Sequence, residues 1–361
     1  MKLSRSFLRQ ACVLRLLTII AALGLASGAV SAWPQNPPAM QNPPTMQNPP
    51  TTQTQTGGQQ PQAPDAEQQA ARKIQAATDI TAQMQAATEF IKQYPKSTLR
   101  PRVAQFMVAK IGGVADHAQR ITVAENFSTV FDQASEKDLI APVLLDAYIR
   151  ANRVDDAFRM APAWLEKNPE DVIALTQLSL LGVDQVKRNN PKFVQQSQQY
   201  GIKAIALIEA DKKPTDLTDA LWSDYKTKGL ANLYQSMGIL SLVTGNNADA
   251  KAKLEKSAAL NATDPLNYAL LGNLVDDEYQ QLAKQHKEMA DGDAKKQKLD
   301  QAVAKMNQVV DLYAHAIALA ENHPQYQQLG DQVKPQLESY YKFLHNNSTD
   351  GLQQLINKYK K

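Results

Sequence analysis

A pattern of large and small residues repeats in the middle of the chain at a spacing of 34 residues. One set is Tyr234, Met237, Gly238 and Ser241, and it recurs as Tyr268, Leu271, Gly272 and Val275. Between the two sets lie further small and large residues at helical spacing, closed by Pro265. Small residues let two helix backbones approach and large residues fill the space beside them, so the pattern predicts antiparallel helix pairs.

Helical spacing of apolar residues continues on both sides of this stretch, from Asp65 onward. It predicts one helix from Asp65 to Tyr94 ended by Pro95, a second over residues 100–112, a third to about Ala134, and a pair over residues 138–169. Beyond Val275 it predicts a helix running to about Met289 and a long second helix from about Leu299 to Glu321. Residues 325–359 are expected to cover the end of the stack, because a terminal repeat must replace an apolar face by a polar one.

The register resembles the tetratricopeptide repeat (TPR) family, most clearly over residues 138–280. The resemblance implies an all-α fold: a TPR-like right-handed α-solenoid of antiparallel helix pairs over residues 65–361, with an extended last helical pair and a C-terminal capping helix. Such a fold presents a binding surface.

In this family the first helix of each pair lines a concave groove. Carrying that register onto this chain gives a partner-binding groove made of Asp146, Ile149, Arg150, Thr176, Gln177, Leu180, Asn232, Gln235, Ser236, Ile239, Asn273, Asp276 and Asp277. Mixed amides with a few apolar residues suit an extended peptide, whose backbone needs both donors and acceptors. The basic clamp that some family members use for carboxylates is absent, since Gln235 and Ile239 stand where Lys and Asn are expected.

The N-terminal residues have the build of a secretory signal peptide, predicted over residues 1–32. Four basic residues precede an apolar run from Leu16 to Val30, and Val30-Ser31-Ala32 supplies small residues for cleavage. The run is short for a membrane span, which needs roughly 20 residues. We therefore expect export to the periplasm or medium, with no membrane span after cleavage; a retained N-terminal anchor is the alternative.

Residues 33–64 are predicted to be a Pro/Gln-rich disordered linker. Gln-Asn-Pro-Pro recurs every six residues over residues 35–52, and paired prolines favour an extended, polyproline-like chain. The segment is either a spacer, a tether or a docking ligand for an aromatic groove, or a low-complexity linker without a partner.

The charge and the cysteine content of the chain argue against nucleic-acid binding and against thiol chemistry. The formal charge is +3, and loss of the four basic residues of the leader would leave −1, so nucleic-acid binding is not expected. The one cysteine, Cys12, lies in the leader, so the mature chain would have no thiol chemistry.

Catalytic motifs are not found. The five histidines are scattered, and no phosphate loop, nucleophile elbow or metal-binding helix motif occurs. Gly351-Leu352-Gln353-Gln354, after Glu338-Ser339, is faintly similar to lytic transglycosylase signatures, but Gln353 replaces their Met. Acidic residues at 276–278 and at 291 and 293 could bind a cation, although solvated helix ends are the favoured interpretation. No cofactor, metal or enzymatic activity is expected.

The sequence thus predicts a non-enzymatic scaffold for protein–protein interaction or assembly in the bacterial cell envelope. The alternative is a binding module for peptidoglycan fragments or another small envelope ligand. Self-association into a structural assembly is a third reading.

Overall fold

A computed structural model describes residues 65–360 except Asp216 and Asn322. The predicted signal peptide and linker, residues 1–32 and 33–64, lie outside the described residues. The described part is helical throughout and contains no strand, which confirms the all-α class. It forms two compact units, residues 65–174 and 175–360, with the boundary just after Ala174.

The first unit is a series of helices, the first six of which pack against their neighbours in sequence. They are α1 (Asp65–Ala76), α2 (Ile80–Gln93), α3 (Arg100–Gly112), α4 (His117–Val130), α5 (Ala134–Arg150), α6 (Val154–Lys167) and the first residues of α7 (Val172–Lys187). Helices two apart in sequence also touch: α2 contacts α4, and α3 contacts α5. Apolar residues one helical turn apart, such as Ala157, Ala161 and Leu165 of α6, are buried along these contacts.

The single helix predicted for residues 65–94 is wrong, because the chain breaks between Ala76 and Ile80. The Asp79 side chain accepts a hydrogen bond from Ala82 N at 2.9 Å and caps a new helix. Gln83 Nε2 donates to Ala77 O at 3.2 Å and so satisfies a carbonyl in the break. Local capping therefore overrides an apolar pattern that continues through the break.

The second unit contains the predicted repeat stretch. Its helices are the rest of α7, α8 (Val194–Glu209), α9 (Asp219–Asp224), α10 (Leu230–Val243), α11 (Asn247–Leu260), α12 (Pro265–Glu288), α13 (Asp293–Ala320), α14 (Gln327–Leu344) and α15 (Leu352–Asn357). A π-helical segment, Tyr225–Gly229, joins α9 to α10, and a 3₁₀ turn, Pro324–Tyr326, precedes α14. The long α12 and α13 confirm the extended pair, although α13 begins six residues earlier than expected.

Two glycines of the 34-residue register lie where one helix packs closely against the next. A Cβ atom built on Gly238 would lie 2.7 Å from Leu254 Cγ of α11. One built on Gly272 would lie 2.5 Å from Tyr313 Cε1 of α13. The prediction that small residues permit close packing is confirmed at both positions.

Candidate functional site

The predicted groove residues of the first unit lie on α5, and two of them are ion-paired. Asp146 accepts from Arg150 Nε at 2.8 Å and from Arg120 Nη1 at 3.0 Å. Ile149 is half-buried beside them. The carboxylate of Asp146 is thus already held between two guanidinium groups of its own chain.

On α7 the three predicted residues differ in exposure. Thr176 is buried, and its Oγ1 has no hydrogen-bond partner in the described part of the chain. Gln177 and Leu180 are half-buried.

On α10, Ser236 and Ile239 are buried, while Asn232 is half-buried. Gln235 faces the start of α12: its Nε2 donates to Asp264 Oδ2 at 2.7 Å and to Asn267 Oδ1 at 3.0 Å. Burial raises the pKa of Asp264, and the hydrogen bond from Gln235 acts in the opposite direction. Asp264 also caps α12 by accepting from Leu266 N at 2.9 Å.

The predicted residues of α12 take part in internal contacts. Asn273 Oδ1 accepts from Tyr313 Oη at 2.7 Å, and Asp277 is half-buried. Asp276 is buried and accepts from Tyr340 Oη at 2.5 Å and from Gln336 Nε2 at 3.0 Å, both on α14. Burial and the hydrogen bond to Asp276 raise the pKa of Tyr340.

The structure therefore brings Asp146 next to Arg150 and places Gln235 against α12 and Asp276 against α14. Four members of the set, Thr176, Ser236, Ile239 and Asp276, are buried within the folded chain. A groove lined by the whole set stays a prediction.

A different surface forms a cleft in the first unit, of about 590 Å³, between α2 and α4. We call it the α2–α4 cleft. From α2 it is lined by Thr81, Met84, Gln85, Thr88, Glu89 and Lys92. From α4 it is lined by Gln119, Thr122, Val123 and Asn126.

Helical spacing explains why these residues share one side of each helix. Residues three or four apart lie above one another on a helix, which fits residues 81, 85, 88 and 92 and residues 119, 122 and 126. Both helices begin with a capping aspartate: Asp79 precedes α2, and Asp116 accepts from Gln119 N at 2.6 Å before α4. The two caps therefore define where each wall of the cleft begins.

The cleft has an apolar floor and polar, accessible walls. Met84 and Val123 are buried, with 2% and 6% of their surface exposed. Seven of the ten lining residues are exposed, so the cleft is open along its length.

The walls present amide groups that the protein does not use itself. Within residues 65–360, the side chains of Gln85, Gln119 and Asn126 make no hydrogen bond to another residue. The hydroxyls of Thr88 and Thr122 donate to Met84 O and Ala118 O of their own helices, so each remains able to accept. The cleft therefore offers both donors and acceptors above an apolar floor.

Charge in the cleft is confined to Glu89 and Lys92 of α2. Neither forms an ion pair within the described part of the chain. Sequence reasoning missed this cleft because the match to the repeat pattern is weak before residue 135. The sequence signal that could have indicated it is an aspartate at each helix start followed by amide residues, Gln85 after Asp79 and Gln119 and Asn126 after Asp116.

Known proteins supply no identification, since no protein family and no curated protein sequence matches this chain. No helix among the described residues combines the length and apolar character needed to cross a membrane. Within the same residues, no three histidine, cysteine, aspartate or glutamate side chains come together in a metal-binding group.

Proposed function

We propose that this chain is an exported, non-enzymatic scaffold for protein–protein interaction or assembly in the bacterial cell envelope. In this proposal the α2–α4 cleft binds an extended peptide of a partner protein. The observation that carries the proposal is the open cleft with unused amides above an apolar floor.

The chemistry of the cleft fits a peptide backbone. An extended peptide presents alternating N–H and C=O groups, and the amide of Gln85, Gln119 or Asn126 can donate to one and accept from the other. An apolar side chain of the peptide would pack against Met84 and Val123, but these two side chains already expose little surface, so their further burial contributes little binding energy. Glu89 and Lys92 would favour opposite charges near one end of the peptide.

The proposed architecture is a TPR-like right-handed α-solenoid with a capping C-terminal helix. Its support is the 34-residue register together with the close packing at Gly238 and Gly272. The proposed location in the envelope is supported by the leader-like residues 1–32 alone.

A peptidoglycan fragment or another small envelope ligand is the competing occupant. The cleft volume falls within the range of small-ligand sites, and hydroxyl and amide groups also suit a sugar. A peptide is favoured because small-ligand sites enclose most of the ligand, whereas seven lining residues here are exposed to solvent.

Affinity capture from the native envelope fraction tests the proposal. The purified chain serves as bait beside a variant carrying Gln119→Ala and Asn126→Ala, two exposed changes on α4 that should leave the fold intact. The matched control is Gln105→Ala, which removes an exposed amide from α3, outside the cleft. We expect a protein that both the unaltered chain and the control retain and that the double variant loses.

Other outcomes identify the rivals. If the unaltered chain captures only glycan fragments and the double variant loses them, the cleft binds a small ligand and not a peptide. Retention of the same proteins by all three baits would exclude the cleft as the binding site, and turnover of an envelope polymer by the purified chain would overturn the non-enzymatic assignment.

A further inference from the structure

The start of α1 lies close to one end of the α2–α4 cleft. Ser97 Oγ, just beyond the end of α2, donates to the Glu67 carboxylate in the first turn of α1. At the other end, Gln83 Nε2 reaches Ala77 O, so the two helices run antiparallel. The chain that precedes Asp65 therefore leaves the fold near the end of α2 that carries Lys92.

The sequence before Asp65 matches the cleft in hydrogen bonding and carries no charge of its own. Residues 33–64 contain no acidic or basic residue. Within each six-residue unit of residues 35–52 two prolines lack an N–H, so backbone acceptors outnumber donors. The cleft offers three amide side chains that can donate to those carbonyls, and the prolines and Met46 are apolar groups that suit its floor.

The lengths are also compatible. Thr81 and Lys92 are eleven helical steps apart, roughly 17 Å at 1.5 Å per residue. One six-residue unit in an extended form spans roughly 19 Å at about 3.1 Å per residue. Twelve residues, 53–64, connect the last unit to Asp65, which is ample to reach an adjoining cleft.

We propose that residues 35–52 of this same chain occupy the α2–α4 cleft and act as an intramolecular competitor for the partner peptide. The inference rests on the proposed function, because it regulates the same site. A tethered competitor is present at an effective concentration of roughly millimolar, so a partner must displace it before binding. Binding of a partner would then be coupled to release of residues 35–52.

A peptide competition experiment tests the proposal. The probe is a fluorescein-labelled synthetic peptide of residues 35–52, and its affinity is measured by anisotropy. It is added to the unaltered chain and to a chain in which residues 35–52 are replaced by a Gly-Ser segment of equal length. We expect about tenfold tighter binding to the replaced chain, since its own competitor is gone.

Two variants of the replaced chain locate the binding. The double substitution Gln119→Ala and Asn126→Ala should weaken binding of the probe, while Gln105→Ala should leave the affinity of the probe unchanged. Equal affinity for the unaltered and replaced chains, or no binding to either, overturns the inference. Neither result bears on the proposed function, which fails separately if capture of an envelope partner is insensitive to the cleft substitutions.

Cross-linking distinguishes the chain's own segment from that of a second copy. In a Cys12→Ser background, Met46→Cys is combined with Thr122→Cys in the cleft or with Gln105→Cys outside it. A bismaleimide should link the first pair several-fold more than the second, within one chain and independently of protein concentration. A product of twice the chain mass, or equal yields for the two pairs, would contradict intramolecular occupancy.

Discussion

Arg100 and Glu136 form a bidentate ion pair that joins α3 to α5 inside the first unit. Arg100 Nε lies 2.6 Å from Glu136 Oε1, and Arg100 Nη2 lies 2.8 Å from Glu136 Oε2. Both residues are buried, with 7% and 3% of their surface exposed. The hydrogen bond to Glu136, together with that to the exposed Asp132, raises the pKa of Arg100, against the opposing effect of burial.

Removing the carboxylate of this pair should strongly destabilise the first unit. Glu136→Ala would leave a buried guanidinium with Asp132 as its remaining acidic partner, and we expect a loss of about 3 kcal/mol in the free energy of unfolding. Urea denaturation measures it. The control is Asp138→Ala, which removes the exposed pair with Lys167 and should cost below about 1 kcal/mol. Equal losses in the two variants would show that the buried pair has no special role.

Glycine substitutions should have opposite signs at two positions of the second unit. Gly272→Ala places a methyl group against the Tyr313 ring, so we expect a loss of about 1–3 kcal/mol. In Gly330→Ala the new Cβ lies 3.5 Å from Ala320 Cβ, which is an ordinary contact. Because alanine favours helix more than glycine does, we expect a gain in stability of up to about 1 kcal/mol. Thermal unfolding of both variants checks the pair. A Gly272→Ala chain as stable as the unaltered one would refute close packing at this repeat position.

The hydroxyl of Tyr340 should stabilise the contact between α12 and α14. Tyr340→Phe removes the donor to the buried Asp276 carboxylate, and we expect a loss of about 2 kcal/mol. The matched control is Tyr326→Phe, because Tyr326 is half-buried and its hydroxyl makes no hydrogen bond to another described residue. The free energies of unfolding of the two variants, measured by urea denaturation, should differ by more than their experimental error. Coincident denaturation curves would show that this hydrogen bond does not stabilise the chain.

His117 should make the first unit less stable in mild acid. Burial, and then the charges of Arg120 and Arg150, lower the pKa of its imidazole in the folded chain. Between that lowered pKa and the ordinary value of about 6.5, the unfolded chain binds more protons, so stability is complete above about pH 6.5 and falls as the pH decreases. His117→Gln should flatten this part of the stability profile. Denaturation midpoints of the unaltered chain and of the variant, measured from about pH 7.5 to 5, test this prediction. If the midpoint depends on pH equally in both, other groups cause the loss of stability in acid.

The sequence predicted the second unit best where packing follows a local pattern. Gly238 and Gly272 gave the register, and α12 and α13 extend close to their expected ends. The break between α1 and α2 was missed because apolar spacing continues across Asp79, whose capping role depends on one hydrogen bond.

The surroundings of the predicted groove residues and the α2–α4 cleft were harder to predict from the sequence. The partners of Asp276 on α14 are about sixty residues away, so its burial could not be inferred from its acidic neighbours. The α2–α4 cleft depends on two helices brought side by side with α3 between them in sequence. Helical spacing groups the polar residues of each wall on one side of its helix, but it does not show that the two helices lie side by side.

The contact between Asp276 and Tyr340 also fixes an order of events during protein synthesis. The two residues are 64 positions apart, and a ribosome adds about 5–20 residues per second, so the carboxylate emerges roughly 3–13 seconds before the hydroxyl that it binds. Throughout that interval Asp276 can accept from Gln280 of α12 but lacks its contacts with Gln336 and Tyr340 of α14. Final closure of this unit therefore waits for α14, and a nascent chain stalled before Tyr340 would offer an incompletely closed surface to chaperones and proteases.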